Sequence, residues 1–365
     1  MLKQQKIFFD FLRFCIGSVA DIPASVKDAD WKVLYAIAKK QALLGVLFYG
    51  IRRLPKELAP EQKLLMQWMV MAEQIRKQNI RLFLDSVKVC KNFENKGFAN
   101  CILKGQGNAL LYPDPYMRTP GDIDIYLSGG RRKIMKYVDQ VCPNQVMRYH
   151  HVDFPVMKMA IEVHFTPSYM FFPVHNRRMQ KWFGKVMDLQ CSNVVTLPDG
   201  YGEITVPTMS FNVIYILSHL YRHVFTEGIG LRQLIDYYFV LVKSEERRVK
   251  NLTALQRELK YLGLWKFAGA VMYVLHEALG LPEAKMIAPI DVNEGRLLLA
   301  EIMQGGNFGQ YDTRLGSKEN EGKLHRYLRM NLRNLRFVKH YPTEALSEPL
   351  FRTWFAVWKK IHGIR

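Results

Sequence analysis

Residues 119–127, TPGDIDIYL, set two aspartates one residue apart inside an apolar run, directly after a proline and a glycine. In a strand, residues i and i+2 share a face, with roughly 7 Å between their α-carbons. Asp122 and Asp124 are therefore expected to project together, while Ile123 and Ile125 turn the other way into a core. Two carboxylates that close repel each other unless a cation or solvent separates them. Magnesium, which prefers oxygen ligands and often uses one or two carboxylates plus substrate phosphates, suits such a pair. An edge strand with a solvated face carries alternating acids equally well. The chain holds its own controls: Asp28 and Asp30 in DAD, and Glu319 and Glu321 in ENE, repeat the spacing with no other sign of a site. Spacing alone does not decide the matter, so the surroundings must.

Upstream lies ILKGQGNALLYP, in which a short strand delivers Lys104 and Gly105 into a small-residue turn and then a helix start. That arrangement offers backbone N–H groups to phosphate. Gly105 and Gly107 let the backbone approach an anion closely, although two glycines also suit a plain turn. Downstream, AIEVHF places Glu162 in another alternating stretch, opposite in direction to Ile161 and Val163, with His164 on the same face as Glu162. Arg118, four residues before Asp122, is a candidate to offset phosphate charge together with Lys104.

These residues carry a family resemblance. The run LKGQGNALLYPDPYMRTPGDIDIYL followed by AIEVHF resembles the polymerase-beta-type nucleotidyltransferase superfamily, and most of all its branch of uncharacterised bacterial nucleotidyltransferases. The shared pattern is a strand ending in Lys-Gly, a Tyr-Pro loop with an arginine, a Gly-Asp-x-Asp strand and a later acidic strand. It covers residues 98 to 170, with a weaker match into SFNVIYILSHLYRHVF and GLRQLIDYY. The resemblance implies transfer of a nucleoside monophosphate from an NTP donor to an acceptor, with pyrophosphate leaving. It implies that Asp122, Asp124 and Glu162 are the catalytic and metal-binding acids of a two-Mg2+ site; beside them the residues themselves offer Lys104 and Arg118 as phosphate cations, the Gly105–Gln106 turn for the nucleotide, and His164, on the face of Glu162, as a neighbour of the substrate. Two ions about 3.5–4 Å apart would stabilise attacking and leaving oxygens together. One departure stands out: the superfamily usually carries Gly-Ser in its phosphate turn, whereas here Gly105 is followed by Gln106, whose longer amide changes the geometry.

Around this core the periodicity is helical. Apolar residues recur at three and four spacing through DWKVLYAIAKKQALLGVLFYGI and EQKLLMQWMVMAEQIRKQNIRLFLDSVKVCKNF before it, and through SFNVIYILSHLYRHVF, GLRQLIDYYFVLVK and LTALQRELKYLGLWKFAGAVMYVLHEAL after it. Between them FANCILKG, DIDIYL, QVMRYHHVDF and KMAIEVHFTP read as strands, SGGRRKIMKYVDQVC as a helix, and TLPDGYGEITVPT as a loop. The expected class is α+β: a small mixed-sheet core at 97–207, flanked by a helical region at 1–96 and another at 208–365. The segment FGQYDTRLGSKENEGK is expected to be a mobile loop.

The two histidines of HLYRH, His219 and His223, share a helix face but lack the glutamate of the H-E-x-x-H zinc motif, so they are expected to pack in the core or line the cleft. Arg232 and Asp236, four apart, are expected to form an ordinary helix pair. The C-terminal runs HRYLRMNLRNLRFVKHYP and FRTWFAVWKKIHGIR are basic with interleaved aromatics, suiting a solvated face, RNA or a membrane surface.

Fifty-two Lys and Arg against 33 Asp and Glu give a formal charge of +19, which favours anionic partners such as nucleotides, nucleic acid and anionic membranes. The five cysteines form an odd, scattered set with no C-x-x-C pair, which supports neither a disulfide framework nor a zinc site and fits a reducing cytoplasm. The N-terminal MLKQQKIFFDFLRFCIGS is broken by Asp10 and Arg13, so it reads as an amphipathic helix, and no transmembrane segment is expected. The expectation is a cytoplasmic, Mg2+-dependent nucleotidyltransferase acting on an unidentified small molecule, protein or RNA acceptor. The alternative is a non-catalytic adaptor of the same fold that binds nucleic acid or a partner protein through its basic surface.

Overall fold

The computed structural model describes residues 3–244, 252–314, 316 and 322–362. Helices α1 (Lys3–Cys15), α2 (Trp31–Lys40), α3 (Leu44–Ile51) and the 34-residue α4 (Gln62–Asn95) come first. Strand β1 (Asn100–Ile102), the four-residue helix α5 (Gln106–Ala109), β2 (Ile123–Leu127), α6 (Gly130–Val141), β3 (His151–Asp153), β4 (Ile161–His164) and α7 (Pro173–Gln190) follow. A hairpin of β5 (Val194–Thr196) and β6 (Glu203–Thr205) leads into α8 (Met209–Thr226) and α9 (Leu231–Lys243). Helices α10 (Leu252–Tyr261), α11 (Trp265–Leu279), α12 (Val292–Gly305), α13 (Lys323–Val338) and α14 (Pro342–Ile361) complete the chain. This is the α+β architecture that the alternating and helical periods predict.

The main sheet has the order β1-β2-β4-β3. β2 runs parallel to β4 and antiparallel to β1, and β3 runs antiparallel to β4. Period-two alternation divides the sheet into two unlike faces. Ile123, Ile125 and Leu127 of β2, Ile161 and Val163 of β4 and Val152 of β3 are fully or almost fully buried. They pack with Ile134 and Val138 of α6 and with the second half of α4, from Leu82 onward. The first half of α4, through Leu64, Trp68 and Ile75, belongs instead to the large helical core that also holds α1, α3, α8, α9 and α11. At 1.5 Å per residue α4 is about 50 Å long, so one rigid helix joins both cores and fixes the sheet against the helical regions. No described helix is long and apolar enough to cross a membrane.

Two stretches depart from the sequence-based expectations. TLPDGYGEITVPT is not a loop: it supplies the end of β5, the tight connection and all of β6, with Asp199, Gly200 and Gly202 at positive φ to turn the chain. Residues 168–195, to which the periodic pattern assigns no element, contain the 18-residue α7, whose Met179, Phe183 and Met187 are buried at helical spacing. Of the segment read as a mobile loop, residues 315 and 317–321, including Glu319 and Glu321, lie outside the described residues. Its opening is well tied, with Arg314 reaching Glu301 at 2.7 Å and Asp312 at 2.8 Å.

Candidate functional site

The polar face of the sheet is where the acids meet. Parallel pairing sets Asp124 of β2 directly across from Glu162 of β4, and antiparallel pairing sets Asp153 and His151 of β3 across from Glu162 and His164. Residues in register on adjacent strands share a face. Acids distant in sequence therefore become neighbours without any loop having to place them. Asp122 sits one residue before β2, partly exposed, where the chain enters the strand.

Asp124 is nearly sealed, with a side chain 3% exposed, and is held by two nitrogen donors. Lys104, two residues past β1, places its Nζ 3.0 Å from Oδ2, and His164 places its Nε2 3.0 Å from Oδ1. His164 Nε2 also lies 3.6 Å from Glu162 Oε2, and His151 Nδ1 lies 3.2 Å from the same oxygen. Among the described residues, Asp124, Glu162 and His164 form one group whose ligand atoms all lie within 4.8 Å of one another. His150, His151 and His164 form a second such group, and His151, Asp153 and Glu162 a third, while Asp122 belongs to none. The acid set expected at one point is thus arranged as Asp124 and Glu162 with His164 between them and Asp122 alongside.

Electrostatics separates the two aspartates. Burial pushes Asp124 upward, but Lys104 and His164 outweigh it and hold the carboxyl well below its usual range. For Asp122 the balance reverses: the adjacent charge of Asp124, then burial, outweigh the attraction of Lys104 and push it up to about 6. Glu162 is held below its ordinary value by His164 and His151 against the penalty of burial. His164 itself is raised, because hydrogen bonds to Asp124 and Glu162 overcome its burial. His151 goes the other way, down to about 3, through burial and the neighbouring His164. The sheet face therefore carries a network in which protein cations balance the carboxylates.

A cleft of about 810 Å³ opens between this face and helices α8, α9, α13 and α14. From α8, His219 brings Nε2 to 3.2 Å from Lys104 Nζ, and Arg222 brings Nη2 to 2.9 Å from His223 Nε2. Both histidines line the cleft, as expected for this pair. Burial depresses His219 well below its ordinary value, and Lys104 and His223 add to the effect. Arg326, Arg352 and Lys359 of the C-terminal helices line the far wall, where Arg352 is paired with Glu348 at 3.1 Å.

Other sequence-based expectations are corrected. Arg118 and Asp236, not Arg232 and Asp236, form the ion pair: Arg118 Nε and Nη2 each lie 2.8 Å from an Asp236 oxygen, and Tyr112 donates its hydroxyl to Oδ1 at 2.7 Å. Arg232 instead donates to the carbonyl oxygens of Thr119 at 3.0 Å and Pro120 at 3.4 Å, bracing the loop before the aspartates. Most of the Arg118 fork is thereby committed to Asp236, leaving Nη1 as its one unpartnered buried nitrogen. Gln106 does not line the cleft: its side chain is 1% exposed and its amide is buried elsewhere. Gly105 does line it, with φ +60, and a Cβ there would sit 3.6 Å from the Asp122 carbonyl, so an L side chain would be strained by its backbone rather than excluded by space.

Three functional candidates escape the sequence reading: His150, His151 and Arg222. The histidines lie in plain view in RYHHVDF, and His151 falls on the strand face that Glu162 occupies once the β3–β4 register is known. Arg222 sits inside HLYRH, one residue from His223.

A family model described as an uncharacterised nucleotidyltransferase matches residues 27–280 of this chain. No curated protein and no solved structure matches it. The matched span takes in the whole sheet and helices α8 and α9, and ends before α12.

Proposed function

The chain belongs to the family of uncharacterised nucleotidyltransferases, and from that premise we propose that it transfers a nucleoside monophosphate from an NTP to an acceptor in the cleft over the polar sheet face. The observation that carries this reading is the register of Asp124 against Glu162 on parallel strands, with Asp122 at the entry to the same strand. The donor set suits divalent cations: carboxylate oxygens and an imidazole within 4.8 Å. Asp124, Glu162 and Asp122 would hold Mg2+, which when bound supplies positive charge to the phosphates and to the attacking oxygen.

The chain's own groups have separable tasks. Lys104 stands 3.0 Å from Asp124 and lines the cleft, so its ammonium is available to triphosphate oxygens as they enter. Glu162, 28% exposed and held ionised by its histidine neighbours, would orient an acceptor hydroxyl. Gly105 opens the backbone on the nucleotide side. Arg118, tied to Asp236, and Arg232, donating to the Thr119 and Pro120 carbonyls, each brace the loop carrying Asp122, a positioning role. The volume, about 810 Å³, lies within the range of pockets that enclose small ligands.

The test is a thermal-shift panel of the four NTPs with and without Mg2+. A ligand that binds only the folded state raises its stability. At least one NTP should raise Tm in the presence of Mg2+, and Asp122→Asn/Asp124→Asn should abolish the rise. Dependence on neither metal nor acids would favour the adaptor reading. That reading draws support from the way Lys104 and His164 already neutralise Asp124.

A further inference from the structure

Helices α13 and α14, beyond the family match, pack as a hairpin with two unlike sides. One side closes the cleft with Arg326, Met330, Phe351 and Phe355. The other side is apolar and faces water. On α13 it carries Leu324, Leu328, Leu332 and Leu335, at spacings of four, four and three. On α14 it carries Leu346, Leu350, Trp354, Val357 and Ile361, at four, four, three and four, and the exposures of the nine run from 49% to 75%. Such spacing puts each set on one helix face. Isolated exposed leucines are ordinary, whereas a contiguous stripe over two packed helices marks a contact surface.

Charge identifies the occupant. Residues 322–341 hold six lysines and arginines and no acid; of these Arg326 lines the cleft, Arg333 is buried and Arg336 is paired with Glu301 and Asp312, which leaves the rim of the stripe to its exposed lysines. The glutamates of α14, Glu344 and Glu348, are each 1% exposed: Glu344 accepts from the Phe171 and Phe172 N–H groups, and Glu348 binds Asn334 and Arg352. Lys339 and Lys360 stay exposed beside the stripe. The hairpin thus presents leucines, a tryptophan and cations to the outside, and no exposed carboxylate among its described residues.

We propose that this face docks on an anionic lipid surface, with α13 and α14 lying in the membrane interface rather than crossing it. An amphipathic helix does so by burying its apolar face below the headgroups while lysines meet lipid phosphates. A second copy of the chain is the less favourable occupant, since it would set lysine rim against lysine rim on a molecule of net charge +19. A nucleic acid would engage the cations and leave the leucines in water. The proposal stands independently of the nucleotidyltransferase reading, because no residue of the stripe lines the cleft.

The test is flotation of the full chain with vesicles of phosphatidylcholine, with or without roughly 30% phosphatidylglycerol. The chain should float with the anionic vesicles about tenfold more than with the neutral ones, and less as salt approaches about 1 M. Leu332→Glu/Leu350→Glu should abolish flotation without changing Tm, as both sites are exposed, and Lys339→Gln/Lys360→Gln should reduce it about tenfold. Absence of flotation overturns the proposal, as does flotation unaffected by both variants. A wild-type dimer in light scattering that the leucine variant alone converts to monomer also overturns it, by assigning the face to self-association. Salt-sensitive binding to RNA that the leucine variant leaves intact, without flotation, does so in favour of nucleic acid.

Discussion

Two aspartate pairs with the same spacing, Asp28/Asp30 and Asp122/Asp124, end in opposite circumstances. Asp28 and Asp30 are exposed: Asp30 caps α2 by accepting from Lys32 and Val33 N–H at 3.0 and 3.2 Å, and Asp28 meets Lys3 at 3.2 Å. Asp30 works within its own turn, and Asp28 makes an exposed ion pair to α1. Asp124 is sealed on a sheet face, answers to Lys104 and His164, and lies in register with Glu162 from another strand. A repeated motif therefore acquires chemistry only where topology brings a third group to it and removes the water.

The sharpest way to break this contrast is Asp124→Ala. It leaves the Lys104 ammonium and the His164 ring without the carboxylate that both contact, and removing one partner of a buried pair costs about 3 kcal/mol or more. Urea denaturation should show a loss of that size, together with loss of metal-dependent nucleotide binding. A wild-type midpoint would instead place Asp124 among the surface acids.

Asp122→Asn should move the other way. A carboxyl raised to about 6 in the fold is destabilising wherever it is charged. Its folded form binds more protons than the unfolded form between pH about 4 and 6, so stability falls as pH rises through that window. In metal-free buffer the Asn variant should therefore gain about 1 kcal/mol at pH 7, and the gain should vanish below pH about 4. Denaturation across pH reads this directly, and a loss at pH 7 would show that Asp122 has a partner of its own.

The DAD pair supplies the small end of the scale. Asp30→Ala removes an N-cap and should lower stability by about 1 kcal/mol. Asp28→Ala breaks a surface ion pair and should change it by under about 0.5 kcal/mol. Neither should alter nucleotide binding in the thermal-shift panel, and an effect there would dissolve the contrast.

What the sequence makes legible is what depends on near neighbours. Alternation in DIDIYL and AIEVHF is enough to assign strands and to sort Ile123, Ile125, Ile161 and Val163 from the acids. Helical spacing likewise marks α4, α8 and α9. Partner choice across the chain is not legible in this way. Asp236 lies four residues from Arg232 yet pairs with Arg118, because the loop before β2 brings a planar guanidinium against both oxygens, whereas Arg232 is drawn to the carbonyls of that loop. Gln106 is a related case: on a four-residue helix its side chain is buried away from the cleft lining, while Gly105 keeps the cleft. His151 becomes part of the site only through the antiparallel register of β3 on β4, which no local period encodes.

The central claim is that Asp124 and Glu162, joined by Asp122, hold divalent metal with a nucleotide. Electron paramagnetic resonance of Mn2+, titrated into the protein with a non-hydrolysable NTP, tests it most directly. Nucleotide-dependent Mn2+ binding that is lost in Asp124→Asn and in Glu162→Gln is the predicted result. Mn2+ bound equally by wild type and both variants, or nucleotide held as tightly in the presence of a chelator, would contradict it.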